Sequence, residues 1–194
     1  MVDLIQATNG TMTMDDFKNY KLVVKKPLSI DYRGFKVFAT EAPSSGAVTL
    51  NMLKTMEKFP AGDDQDTNLT IHRFVEAMKF AYGARLELGD PAFLTYIEQY
   101  QKEMLSEGKA EKIHGLINDE HTLPNSAYQP KALYSTPGHG TSHIVVADSS
   151  GLTLSSTTTV NLLFGAQIMT ADGGIILCVP PPTAAFLRLF VPEC

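Results

Sequence analysis

The hydrophobic period changes along this chain, and the change limits the folds open to it. Between residues 44 and 117 apolar side chains recur every three to four positions, the period of a helix, whereas residues 142–160 are rich in Ile, Val, Leu and Thr, the composition of strands. Turn signals divide the helical block. After Pro43-Ser44-Ser45-Gly46, with Ser44 or Ser45 placed to cap, Leu50, Met52, Leu53, Met56 and Phe59 mark a first helix. Beyond the polar loop Gly62-Asp63-Asp64-Gln65-Asp66, an apolar stripe of Ile71, Phe74, Val75, Met78 and Tyr82 predicts a helix over residues 70–85. Asp90-Pro91, a capping residue before a proline, opens a third that carries Phe93, Leu94, Ile97, Tyr100 and Met104 to about Glu107. A short fourth is expected at residues 111–117.

The extended segments flank this block. Tyr32 to Thr40 alternates Phe35, Val37 and Ala39 with Lys36, Phe38 and Thr40, which is a strand period. Ser142 to Ala147 and Leu152 to Val160 form an expected hairpin turned by Asp148-Ser149-Ser150-Gly151. Gly174-Ile175-Ile176-Leu177 reads as a third strand, stopped by Pro180-Pro181-Pro182 because three prolines remove three donors. Residues 118–136 are rich in Asn, Pro, Ser and Thr without a period, so they read as a long surface segment open to flexibility or cutting.

Composition narrows the function classes. The 194 residues are 44% apolar and 19% charged, a globular balance that excludes disorder of the whole chain. A net charge of -5 with no basic run longer than Lys21 to Lys26 gives no footprint for nucleic acid. No run approaches the roughly 20 apolar residues of a membrane helix. The two cysteines, Cys178 and Cys194, support neither a disulfide framework nor a zinc spacing. Asn9-Gly10-Thr11 and Asn68-Leu69-Thr70 are glycosylation sequons that lean weakly toward the secretory route.

The stretch that bears chemistry is Thr136-Pro137-Gly138-His139-Gly140-Thr141-Ser142-His143, followed by Thr159-Val160-Asn161. A threonine that opens a strand after a glycine suits an N-terminal nucleophile. Its hydroxyl is weak unless a base lies beside it, and in that class the base is its own α-amine, freed by cutting the preceding peptide bond. Such an amine has an unperturbed pKa of about 8 and accepts a proton at neutral pH. His139 and His143 flank the cut in a non-helical stretch and read as polar support rather than metal ligands, and His72 with Glu76 reads as a surface pair. No metal and no cofactor is implied.

Six ordered motifs carry a resemblance. Besides Gly140-Thr141-Ser142-His143, Met12-Thr13-Met14-Asp15-Asp16-Phe17-Lys18-Asn19-Tyr20 is similar to Met-Thr-x-x-Asp-Leu-x-x-Tyr. Lys26-Pro27-Leu28 with Tyr32-Arg33-Gly34 follows, then Pro43-Ser44-Ser45-Gly46 with Ala47 where a second glycine is usual. His72-Arg73-Phe74-Val75-Glu76-Ala77-Met78-Lys79-Phe80-Ala81-Tyr82 and Leu88-Gly89-Asp90-Pro91 complete the set. Over about residues 10 to 177 the chain resembles the γ-glutamyltranspeptidase (glutathione hydrolase) family.

That resemblance implies an α/β fold of the N-terminal-nucleophile hydrolase kind, an αββα sandwich present incompletely. Residues 1–140 would be the C-terminal part of a large-subunit-like region with a linker at about 118–140, residues 141–177 the start of a small-subunit-like region, and residues 178–194 a divergent tail. The family's proenzymes cut themselves, here at Gly140-Thr141, into large and small subunits. The family then uses the freed threonine, here Thr141, to take a γ-glutamyl group from glutathione or a related compound as an ester and to pass it to water, an amino acid or a peptide. Thr159 would orient the nucleophile's amine, and Asn161 would help hold the substrate carboxylate. The resemblance suggests the secretory route, with membrane-anchored, extracellular or vacuolar sites, and leaves the compartment unassigned. After Leu177 the sequence departs from the family's Asn-Asn-x-Met-x-Asp-Phe, whose acidic residue grips the substrate amine, and the later carboxylate-binding and oxyanion elements find no counterpart. An oxyanion donor is commonly worth about 100- to 1000-fold in rate, so this chain is expected to be inactive alone. A non-catalytic remnant or binding protein of the same fold is an alternative reading, as is a related N-terminal-nucleophile acylase.

Overall fold

The computed structural model describes residues 1–61, 66–129, 131, 141–160 and 164–178. In chain order its elements are α1 (Val2–Ala7), α2 (Met14–Asn19), β1 (Leu28–Tyr32), β2 (Phe35–Ala39), α3 (Gly46–Met56), α4 (Thr67–Arg85), α5 (Ile97–Met104), α6 (Glu107–Leu116), α7 (Asn125–Tyr128), β3 (Ser142–Ala147) and β4 (Thr153–Thr158). The chain divides into two compact units, Val24–Ser135 and Met1–Val23 with Thr136–Cys194.

In the unit Val24–Ser135, β1 and β2 form an antiparallel hairpin with Tyr32 opposite Phe35. Arg33 and Gly34 between them have φ of 48° and 84°, the left-handed pair that suits a two-residue hairpin turn. The segment read as one strand from Tyr32 thus contains the turn, and its true strand begins at Phe35. α3 follows with Ala47, Val48, Leu50 and Met56 buried. Ala47 and Val48 pack with Ala81 and Met104, while Met56 and Phe59 pack with Ala77.

α4 confirms the expected helix but turns the other way. Ile71, Phe74 and Tyr82 are exposed, and the buried positions are Glu76, Ala77, Phe80, Ala81 and Gly83. The helix is apolar on more than one face, so periodicity alone does not choose which face meets the core. Small side chains decide it, because Ala77 and Ala81 let α3 come close. The helix expected from Pro91 starts only at Ile97. The Asp90 carboxylate accepts from the Ala92 N–H at 2.8 Å, and the Asp90 carbonyl accepts from Phe93 and Leu94. This closes one isolated turn, which leaves Phe93 exposed and starts the helix at fully buried Ile97. α6 begins four residues before its expected start, capped by the Ser106 hydroxyl.

Residues 118–128 lie against α4 although they have no apolar period. Asn118 O meets His72 Nε2 at 2.7 Å, and Arg73 donates to both Asp119 oxygens at 2.8 and 2.7 Å. Glu76, 1% exposed, accepts from Lys79 at 2.8 Å, from the Thr122 hydroxyl at 2.6 Å and from the Tyr128 hydroxyl. The Tyr128 ring stands edge-on to Phe80, centroids 4.8 Å apart. His72 and Glu76 are therefore not a surface pair: each holds a different part of the segment. Their four-residue spacing gives both side chains one helix face, and that face is covered.

Gly83 shows how close this packing is. A Cβ there would lie 1.9 Å from the Tyr128 carbonyl oxygen. The helix would gain about 1 kcal/mol of propensity from alanine, but overpacking against backbone costs about 1–3 kcal/mol. Gly83→Ala is expected to be neutral to destabilising by up to about 2 kcal/mol, read as a lower urea midpoint, with the tyrosine environment near Tyr128 altered.

The other unit opens with α1 and α2. α2 is set by a capping box in which the Asp16 carboxylate accepts from the Thr13 N–H at 2.6 Å and hydroxyl at 2.8 Å. β3 and β4 form the expected hairpin. Residues 166–177 fold back on themselves, with Ala166 N donating to Leu177 O at 2.8 Å and Leu177 N to Ile168 O at 3.0 Å. The third strand expected at residues 174–177 is reduced to one bridge, Met169 with Ile176, because Gly174 sits in the left-handed region at φ 62° and turns the chain just before it. Cys178 is disulfide-bonded. Among the described residues the strands form two separate two-stranded sheets, and no helix is long and apolar enough to cross a membrane.

Candidate active site

The hairpin β3–β4 positions the residues singled out from sequence. Its turn is built by Asp148, whose carboxylate accepts from the Ser150 N–H at 2.8 Å, the Ser150 hydroxyl at 2.7 Å and the Leu152 N–H at 3.1 Å. Those bonds, the Ser150 hydroxyl first among them, hold the Asp148 carboxyl below its ordinary range. Gly151 completes the turn at φ 89°, a conformation that strains any residue with a Cβ. This turn sets the register, so Ala147 faces Thr153 and Ser142 faces Thr158.

Thr141 and Thr159 are the residues next beyond that last pair, one on each strand's open end. Opposed residues of an antiparallel pair share a face and alternate along it. His143 and Val145 therefore lie on the same face as Thr157 and Ser155. Thr141 and Thr159 are both exposed. His143 bridges the strands, with Nδ1 3.0 Å from the Thr157 hydroxyl and Nε2 2.9 Å from the Ser155 hydroxyl. The opposite face carries Ile144, Val146 and Leu154, which are exposed.

Two of the four predicted site residues, Thr141 and Thr159, thus flank the last pair at the open end of one hairpin. Gly140 and Asn161 lie outside the described residues, as does His139. The motif reading did not give the two hydroxyl partners of His143, because they emerge only once the register is known. Among the described residues no group of three or more His, Cys, Asp or Glu side chains gathers as a metal site would.

The arrangement can place a threonine hydroxyl, and the amine that a cut before it would free, beside a second hydroxyl on the neighbouring strand. That is the geometry a self-activated nucleophile uses. A family model described as Gamma-glutamyltranspeptidase matches residues 1–178, which extends the likeness to the first residue, beyond the motifs that begin near Gly10. The chain is 45% identical over 178 residues to a glutathione hydrolase proenzyme of Arthroderma benhamiae, covering 91% of this chain and 30% of that protein. Among solved structures it is similar to the γ-glutamyltranspeptidase of Helicobacter pylori, with a TM-score of 0.56 and 28% identity over 63% of this chain and 35% of that one. It is also similar to a cephalosporin acylase of Bacillus halodurans, with a TM-score of 0.52 and 26% identity over 60% of this chain and 22% of that one. The chain spans about 30% of the length of the curated relative it matches. The fold is the α/β fold of the N-terminal-nucleophile hydrolases, present in part. By sequence and by fold, the chain belongs to the γ-glutamyltranspeptidase family.

Proposed function

We propose that this chain carries the nucleophile region of an enzyme that cleaves γ-glutamyl bonds, that of glutathione among them, and passes the acyl group to water, an amino acid or a peptide. The observation that supports this reading is the β3–β4 register, whose last pair, Ser142 with Thr158, is flanked by Thr141 and Thr159 in a chain of this family.

The first step makes the nucleophile. Thr141 Oγ attacks the Gly140 carbonyl carbon, the Gly140–Thr141 amide bond breaks as the threonine nitrogen takes a proton, and an ester remains. Water opens that ester, leaving a Gly140 carboxylate and a Thr141 with both amine and hydroxyl free. Residues 1–140 become the large-subunit-like piece and the chain from Thr141 the small-subunit-like piece, while residues 178–194 form a divergent tail. In turnover the amine takes the hydroxyl proton as Oγ attacks the γ-glutamyl carbonyl. The departing amine receives the proton, and the acyl group stays on Thr141 as an ester until an acceptor removes it. Thr159 orients the amine, and Asn161 helps hold the donor's carboxylate.

Donor preference tests this reading. The cleaved chain is incubated with a γ-glutamyl anilide and, separately, with the same anilide lacking the α-carboxylate. Release is expected to favour the γ-glutamyl donor by about tenfold or more, as expected when a site reads one polar group. Equal release from both donors, or release that survives Thr141→Ala, contradicts it.

A further inference from the structure

We propose that His143 is a positioning residue that clips the open end of the β3–β4 hairpin shut and so keeps Thr141 across from Thr159. The proposal rests on the reading of Thr141 as the nucleophile and concerns how that residue is held.

The two ends of the hairpin are secured differently. At the closed end the Asp148 turn fixes Ala147 opposite Thr153 through its carboxylate bonds. At the other end the last pair is Ser142 with Thr158, and every residue of both strands is exposed, so no burial holds that end together. An isolated two-stranded hairpin is marginal in water, and its ends open first. Near that end the His143 side chain bonds across both strands. Its Nδ1 reaches Thr157, directly opposite, at 3.0 Å, and its Nε2 reaches Ser155, the diagonal neighbour, at 2.9 Å.

The chemistry of the clip is tolerant. A hydroxyl both donates and accepts, so Thr157 and Ser155 satisfy either neutral tautomer of the ring and the protonated ring as well. The clip therefore needs no particular charge on His143. It lies two residues from Thr141, one step inside the pair it is proposed to hold. It touches neither the scissile bond nor the incoming acyl group in this account, and acts through Thr141.

The test uses the full chain in two backgrounds. In Thr141→Ala, where no cut competes, cross-strand proton contacts between residues 141 and 159 and amide exchange at Ser142 and Thr158 are measured by NMR, with and without His143→Phe. Phenylalanine suits a strand but has no ring nitrogen. The expected result is loss of the 141–159 contact and about fivefold faster exchange at the open end, with the amides beside the Asp148 turn unchanged. In the Thr141 background, His143→Phe is expected to slow cleavage about tenfold, the scale set by losing two net hydrogen bonds. Ser155→Ala with Thr157→Val should slow it equally and add nothing to His143→Phe, as for groups acting as one unit. His143→Gln, whose amide keeps one of the bonds, should recover part of the rate. An intact 141–159 contact in the His143→Phe chain overturns the proposal, as do fully additive effects. A wild-type chain that never cuts while the contact still depends on His143 rejects the nucleophile reading and leaves the clip supported.

Discussion

Replacing Glu76 with alanine is expected to destabilise the Val24–Ser135 unit by about 3–5 kcal/mol, the scale for removing one partner of a buried charged network. Three donors converge on this carboxylate, from Lys79, Thr122 and Tyr128, and Tyr128 is itself buried with its hydroxyl also accepting from the Leu123 N–H at 2.8 Å. Alanine would strand the buried Tyr128 hydroxyl and release residues 118–128 from α4. Against a typical total of about 5–15 kcal/mol, that loss is large enough to populate the unfolded unit. Urea denaturation followed by circular dichroism reads it directly, and Glu76→Gln, which keeps an acceptor oxygen, should cost less.

The same carboxylate gives the unit a defined acid limb. Burial alone would raise the Glu76 pKa, but the bonds from Lys79, Thr122 and Tyr128 outweigh it and hold the group at about 2. A carboxyl depressed on folding contributes stability that is fully present above its ordinary value of 4.5 and is lost as pH falls from there through about 2. The contribution is on the order of 3 kcal/mol. Glu76→Gln should therefore be less stable than the parent at pH 6 and should converge with it by pH 2. A parent chain whose stability stays flat across that interval would show that the network does not hold the charged form.

Thr141→Ala is expected to abolish cleavage at Gly140–Thr141 to below about one part in a thousand of the parent rate, because no other group is proposed to attack that carbonyl. Thr141→Ser should still cut, since it keeps the hydroxyl that forms the ester. The pair separates chemistry from folding: both variants place a small residue one step beyond the hairpin's last pair, and only one can form the ester.

How much of this was legible in the sequence depends on what kind of contact does the work. The hairpin was, because Asp148-Ser149-Ser150-Gly151 between β-rich runs specifies a turn chemically. Thr141 and Thr159 come from ordered motifs, and they are the next residues beyond the register's last pair, Ser142 with Thr158. The inward face of α4 was not: Ile71, Phe74 and Tyr82 outweigh Ala77 and Ala81 in any hydrophobic count, yet close helix packing selects the small residues. The docking of residues 118–128 was hidden as well, because polar bonds to His72, Arg73 and Glu76 hold it and such bonds leave no periodic trace. The His143 clip needed the register before its partners could be found.

The measurement that bears most directly on the central claim is the intact mass of the purified 194-residue chain after incubation at neutral pH, beside Thr141→Ala prepared in the same way. The account predicts fragments of residues 1–140 and 141–194 from the parent and a whole chain from the variant. A parent that stays whole, or a variant that yields the same two fragments, would contradict it.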